Sequence, residues 1–159
     1  MEKSQIMTAI AWNLMLTAYA VVPLAARAEV APDAQSEYTK TLAMLEQAHR
    51  KGKLVGLDSK FFSSLNWVGR TATLNYVCSS LPSERCHDAV ALGLTDNALV
   101  VRDHALRMMI TGRQFKSNEK KRAAEQIIAD DRNYRRGRAF WIVDRAKSFL
   151  SASSDPKSR

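Results

Sequence analysis

The chain has 159 residues, 46 % of them hydrophobic, and 24 Lys and Arg against 16 Asp and Glu give it a net charge of +8. Past an apolar N-terminal stretch, roughly 130 residues remain, which suits one domain that buries well over half of its unfolded surface and needs no staple to fold. No second long apolar run follows, which excludes a further membrane span.

Residues 4–26 carry no Asp, Glu, Lys or Arg. Lys3 precedes an apolar stretch from Ile6 to Leu24, Pro23 breaks it late, and Ala26-Arg27-Ala28 supplies the small-x-small pattern that a signal peptidase accepts. The expectation is a cleavable signal peptide over residues 1–28, a single helical domain over 29–151 and a flexible tail over 152–159. A retained signal anchor is the rival, because the uncharged stretch approaches spanning length. Asn13 and the alanine content weaken it, and no cysteine near the cleavage point offers a lipidation site. The mature protein is then periplasmic or secreted, and its two cysteines, Cys78 and Cys86, are expected to form a disulfide in that oxidising compartment.

Residues 31–36 read as a short polar linker. Tyr38, Leu42 and Leu45 then recur at helical spacing in a stretch closed by Gly52. Asp58 or Ser59 can cap a second helix in which Phe61, Leu65, Val68 and Ala72 share a face, with Gly69 as a weak point and Leu74 and Val77 leading to Cys78. Pro82 fits the first turn of a third helix, so a Cys78–Cys86 bridge would pin a helical hairpin at its corner. Thr95-Asp96-Asn97 forms a polar turn before a helix with Leu99, Leu106 and Ile110 on one side, ended by Gly112. Ser117 can cap the next helix, built on Ala123, Ala124, Ile127 and Ile128. After a turn at residues 130–133, the last helix carries Ala139, Val143, Ala146 and Leu150, with Phe140 and Trp141 beside them. Trp141 reads as core and Tyr134 as surface. No strand alternation or hairpin signal is evident, so the expected class is all-α, with about six antiparallel helices.

Overlaying the two polar turns gives a period of 34: Asp96 falls on Asp130, Arg102 on Arg136, Ala105 on Ala139 and Leu106 on Phe140. A fixed period of this size marks stacked helical hairpins. The string from Leu92 to Leu106, with aspartate in the turn and arginine six residues later before an alanine, resembles the HEAT repeat. That resemblance covers about residues 84–150 as two degenerate units and implies a short α-solenoid, with a structural Asp–Arg ladder drawn from Asp96, Arg102, Asp130 and Arg136. A compact helical bundle is the alternative.

The sequence offers weak support for chemistry. Cys86-His87-Asp88 cannot form a nucleophile–base–acid chain, because neighbours on a helix point about 100° apart. His49, His87 and His104 show no metal-ligand spacing, and no phosphate-cradling loop or hydrolase motif occurs. No catalytic residue, metal or cofactor is therefore expected. The charge, by contrast, is lopsided: seven basic residues face eight acidic ones from Glu29 to Asp96, but fifteen face seven from Asn97 to Arg159. Arg113, Lys116, Lys120, Lys121 and Arg122 flank one loop, and Arg132, Arg135, Arg136 and Arg138 crowd the next. Two functions are consistent with this: an exported, non-enzymatic scaffold that binds a protein partner through a HEAT-like surface, or a binder of an anionic envelope polymer, lipid headgroup or nucleic acid through the basic cluster. Export argues against nucleic acid as the usual partner.

Overall fold

A computed structural model describes residues 32–52 and 59–154. The expected signal peptide, the Asp58 cap and the last five residues lie outside them. The chain divides after Ser36. The first unit contributes only the opening of helix α1 to the described residues, and the second carries everything from Glu37 onward.

Helix α1 spans Pro32–Arg50, so the expected linker is already helical. Proline has its φ fixed near the helical value and lacks the N–H that a first turn leaves unpaired, and Asp33 follows where the helix dipole favours a carboxylate. Its Leu45 and Thr41 are buried. The expected second helix is two: α2, Ser59–Ser64, and α3, Trp67–Ser80. The interruption falls at Asn66, not Gly69. Asn66 Oδ1 accepts the Gly69 N–H at 2.9 Å, so an amide side chain takes an end donor of α3 that a continuous helix would have satisfied with a carbonyl.

Pro82 precedes α4, Ser83–Leu94. The disulfide joins Cys78 at the end of α3 to Cys86 in the first turn of α4, with the Cα atoms 4.5 Å apart. Helix α5 covers Leu99–Thr111, α6 Ser117–Ala129 and α7 Trp141–Ser154. Ser117 is the first residue of α6 rather than its cap: the Lys116 N–H donates back to Glu119 Oε2 at 2.6 Å. Helix α7 runs through residues 152–154, three places into the expected tail.

From α3 onward, helices consecutive in the chain pack as neighbours, α3 on α4, α4 on α5 and α6 on α7, with α5 also touching α3, α6 and α7. One core results, built on Leu74 and Val77, Ala89 and Val90, Val101, Ala105 and Leu106, Ala124 and Ile127, and Ile142, Val143 and Ala146. The class is all-α, as expected. Helices α4 and α5 approach closely at Gly93, where a Cβ would stand 2.8 Å from the Ala105 Cβ and 3.0 Å from Leu74 Cδ1. Only hydrogen fits there.

The segment between α6 and α7 departs from the expected turn and helix. Asp131–Asn133 form one 3-10 turn, and Tyr134–Arg135 (β1) pairs antiparallel with Arg138–Ala139 (β2), with Arg135 opposite Arg138. Arg136 and Gly137 make the two-residue loop, both at positive φ (50° and 76°), as a hairpin turn matching strand twist requires. Glycine takes that conformation freely, and Gly137 stops the helix expected there. The period-34 equivalence is therefore not kept in space. Arg102 is buried within α5, whereas Arg136 sits on the exposed hairpin tip. Two aromatic assignments also reverse: Trp141 is 51 % exposed, and Tyr134 is half-buried with its hydroxyl donating to the Ile128 carbonyl.

Candidate functional site

The starts of α3, α5 and α7 lie at one end of the helices, tied together by a polar ladder. Arg70, in the first turn of α3, reaches the α4–α5 turn: its Nη2 donates to Asp96 Oδ1 at 3.1 Å, and its Nε stands 2.7 Å from Oδ2. Asp96 also accepts the Ala98 N–H at 2.7 Å, just ahead of α5. Arg102, in the first turn of α5 and 2 % exposed, donates backward to the carbonyls of Asp96 and Asn97 and forward to Asn133 Oδ1 and the Arg132 carbonyl. Asn133 is fully buried and spends every group: its side-chain N–H donates to the Ile127 carbonyl, and its own carbonyl accepts the Phe140 N–H. Burial and the neighbouring Arg132 lower the Arg102 pKa; a guanidinium remains charged even so.

The expected ladder of Asp96, Arg102, Asp130 and Arg136 is thus re-membered. Asp96 and Arg102 belong to it, and Asp130 joins through Arg132, whose Nε and Nη2 grip both carboxylate oxygens while Nη1 donates to the Thr95 carbonyl and Asn97 Oδ1. Hydrogen bonding to Arg132 holds the Asp130 carboxyl below its usual range and raises the Arg132 pKa. Arg136 takes no part. Its side chain, with those of Arg135 and Arg138, stands on the exposed hairpin, and none of the three makes an ion pair among the described residues. Arg135 and Arg138 face each other across the two strands, where directly opposed Cβ atoms stand about 5 Å apart and like charges repel.

The nine cationic side chains singled out from the sequence fall into two groups. Arg113, Lys116, Lys120, Lys121 and Arg122 surround the start of α6; Arg132, Arg135, Arg136 and Arg138 follow its end. Seven helical residues, Ala123–Ala129, separate the groups, about 10 Å of rise. The first group is partly spent. Lys120 Nζ donates to the Ile110 carbonyl at 2.8 Å, closing the end of α5, and Lys121 lies 3.8 Å from Glu125. In the second group, Arg132 is paired with Asp130, and Arg135, Arg136 and Arg138 stand close in the chain with no ion pair among the described residues.

No family model, curated protein or solved structure matches this chain.

The cysteine, histidine and aspartate candidates are engaged within the fold. Cys86 is in the disulfide, His87 stacks on Phe115 with centroids 4.5 Å apart and faces Glu119 rather than Asp88, and the three make no relay. Buried Asp103 is held by Arg107 (2.7 Å) and Arg145 (2.9 Å), a carboxylate with both oxygens occupied. His104 Nε2 donates to Asn75 Oδ1 at 2.8 Å, and Asn75 in turn donates to the Tyr38 hydroxyl. Burial, helped by Arg107 and opposed by Asp103, lowers the His104 pKa. A small cleft lined by Phe62, Ser63, Arg70, Leu92, Thr95, Asp96 and Asn97 lies at the ladder end, its one guanidinium already neutralised by Asp96. Among the described residues no group of three or more His, Cys, Asp or Glu is placed to hold a metal, and no helix is long and apolar enough to cross a membrane.

Reading the sequence missed Arg70 and Asn133 as ladder members. Both look like ordinary surface residues until the two turns are brought together. It also missed the exposure of Trp67, Val100 and Trp141. One signal was available: each sits at the first or second position of its helix, where the side chain covers the turn rather than the core.

Proposed function

We propose that this protein is an exported, non-enzymatic binding module whose arginine hairpin, Tyr134 to Ala139, engages an anionic partner. One observation carries the reading: Arg135, Arg136 and Arg138 converge on one exposed tip with no carboxylate paired to them, although Arg135 and Arg138 repel each other across the ribbon. An arrangement that is electrostatically unfavourable alone becomes favourable when an anion sits between the guanidinium groups, each of which offers a fork of N–H donors to phosphate or carboxylate. Export rests on the uncharged N-terminal segment and is supported by the disulfide, a bond that persists in oxidising compartments.

The scaffold reading is narrowed rather than replaced. The support is a helical bundle whose side-chain ladder runs from Arg70 through Asp96 and Arg102 to Asn133, and the partner of such a scaffold is then acidic where it meets the hairpin. The test is binding to a soluble polyanion, heparin or polyphosphate, across a salt series. Replacing Arg135, Arg136 and Arg138 together by glutamine should remove most of the affinity and flatten the log–log salt dependence by about 2–3. Replacing Lys116, Lys121 and Arg122 should cost only a few-fold. Equal affinity of the wild type and the hairpin variant would overturn the proposal.

A further inference from the structure

Four large hydrophobic side chains stand exposed among the described residues, and three of them share one end: Trp67 is the first residue of α3 (48 % exposed), Val100 the second of α5 (45 %) and Trp141 the first of α7. The ladder fixes their placement. Arg70, three residues past Trp67, touches the turn before α5; Arg102, two past Val100, touches Asn133; and Asn133 bonds the amide just ahead of Trp141. Because α3 packs on α5 and α5 on α7, with neighbouring axes typically about 8–10 Å apart, the three helix starts that carry these side chains are neighbours. The arginine hairpin leads directly into Trp141.

From this juxtaposition we infer that the ladder end is a membrane-docking edge, which lays Trp67, Val100 and Trp141 at the headgroup level of an anionic bilayer while Arg135, Arg136 and Arg138 contact lipid phosphates. The inference rests on the anion-binding role of the hairpin and names its partner. Charge complementarity favours this surface: Asp96 and Asp130 are each neutralised by an arginine, leaving Asp131 and Asp144 as the exposed carboxylates nearby. The placement of these apolar side chains favours lipid over protein. Each exposed side chain stands on a different helix start, so none extends another along a single helix face of the kind a protein partner would cover. An interface of headgroups accepts each indole independently, with its ring in the apolar layer and its N–H in water. A bound edge of this kind lies on the membrane and does not span it.

The experiment uses the full chain with Trp12→Phe and Trp67→Phe, so that Trp141 is the sole indole, and a companion with Trp12→Phe and Trp141→Phe that keeps Trp67. Each is mixed with vesicles of phosphatidylcholine alone or of equal parts phosphatidylcholine and phosphatidylglycerol, with and without brominated acyl chains. The expected result is a blue-shifted, bromine-quenched emission from both indoles on the anionic vesicles only, weakened threefold or more by glutamine at Arg135, Arg136 and Arg138. Unshifted and unquenched indoles on vesicles that nevertheless retain the chain would overturn the docking edge. If heparin still binds through the hairpin while both indoles stay in water, the anion-binding function stands and its ligand is a soluble acidic polymer or protein. Loss of heparin binding as well would remove both readings.

Discussion

The α4–α5 turn and the α6–α7 link begin alike in sequence, with an aspartate followed within six residues by arginine, and finish as different structures. At the first, Asp96 accepts the N–H of Ala98 and a regular helix starts one residue later. At the second, Asp130 accepts the N–H of Arg132, and the chain makes a single 3-10 turn and a hairpin before α7 begins. The carboxylate does the same local work in both. What differs is the sixth residue: Arg102 has an interior to enter, formed by Asn133 and the carbonyls of the turn, whereas Arg136 is followed by Gly137 and goes outward. A turn motif therefore sets where a helix can start, and its tertiary neighbours decide whether one does.

The most severe way to break this comparison is to remove the guanidinium that serves both turns. Arg102→Ala strands the Asn133 amide oxygen and two turn carbonyls in the interior and should cost about 3–5 kcal/mol, seen as a large fall in the denaturant midpoint. A corner away from both turns serves as the control. Cys78→Ser with Cys86→Ser opens a short loop between α3 and α4 and should cost about 2–3 kcal/mol, without altering anion binding at the hairpin. A smaller change sharpens the contrast at the loop itself: Gly137→Ala forces a side chain into φ 76° and should destabilise by about 1–2 kcal/mol, whereas Arg136→Gly at φ 50° should be neutral or mildly stabilising by thermal melting.

The weakest effect is read inside α5. Because burial lowers the His104 pKa, the folded protein resists a proton that the unfolded chain takes up near pH 6.5. Stability should fall as pH drops below that value and level off once the folded imidazole also protonates. His104→Gln, which keeps a donor for Asn75, should lose less melting temperature between pH 7 and pH 5 than the wild type.

Helix periodicity made the fold class legible. Leu99, Leu106 and their neighbours announced α5, Pro82 the start of α4, and the pairing of the two cysteines the α3–α4 corner. Boundaries failed where one side chain outvoted a pattern. Asn66 interrupts an otherwise unbroken apolar stripe, and the Arg-Gly loop lacks the asparagine or aspartate that usually flags a hairpin. The basic residues were visible as a cluster in sequence, but the last seven residues of α6, about 10 Å of rise, stand between its two halves. The exposed indoles were hidden by the ordinary rule that a large apolar residue in a helical stripe faces inward.

Arg102 also bears on how the domain can be shortened. Arrays of helical repeats tolerate deletion of whole terminal units, because each unit rests only on its neighbour's flat side. Here a cation rooted in α5 is satisfied by atoms beyond α6, so a chain stopped after Ala129 would keep the charge and lose its forward acceptors. The helices from α5 to α7 are in that sense indivisible: truncation at any corner within them should yield an insoluble fragment, and amide exchange should show the α4–α5 turn and the hairpin stem opening in a single event.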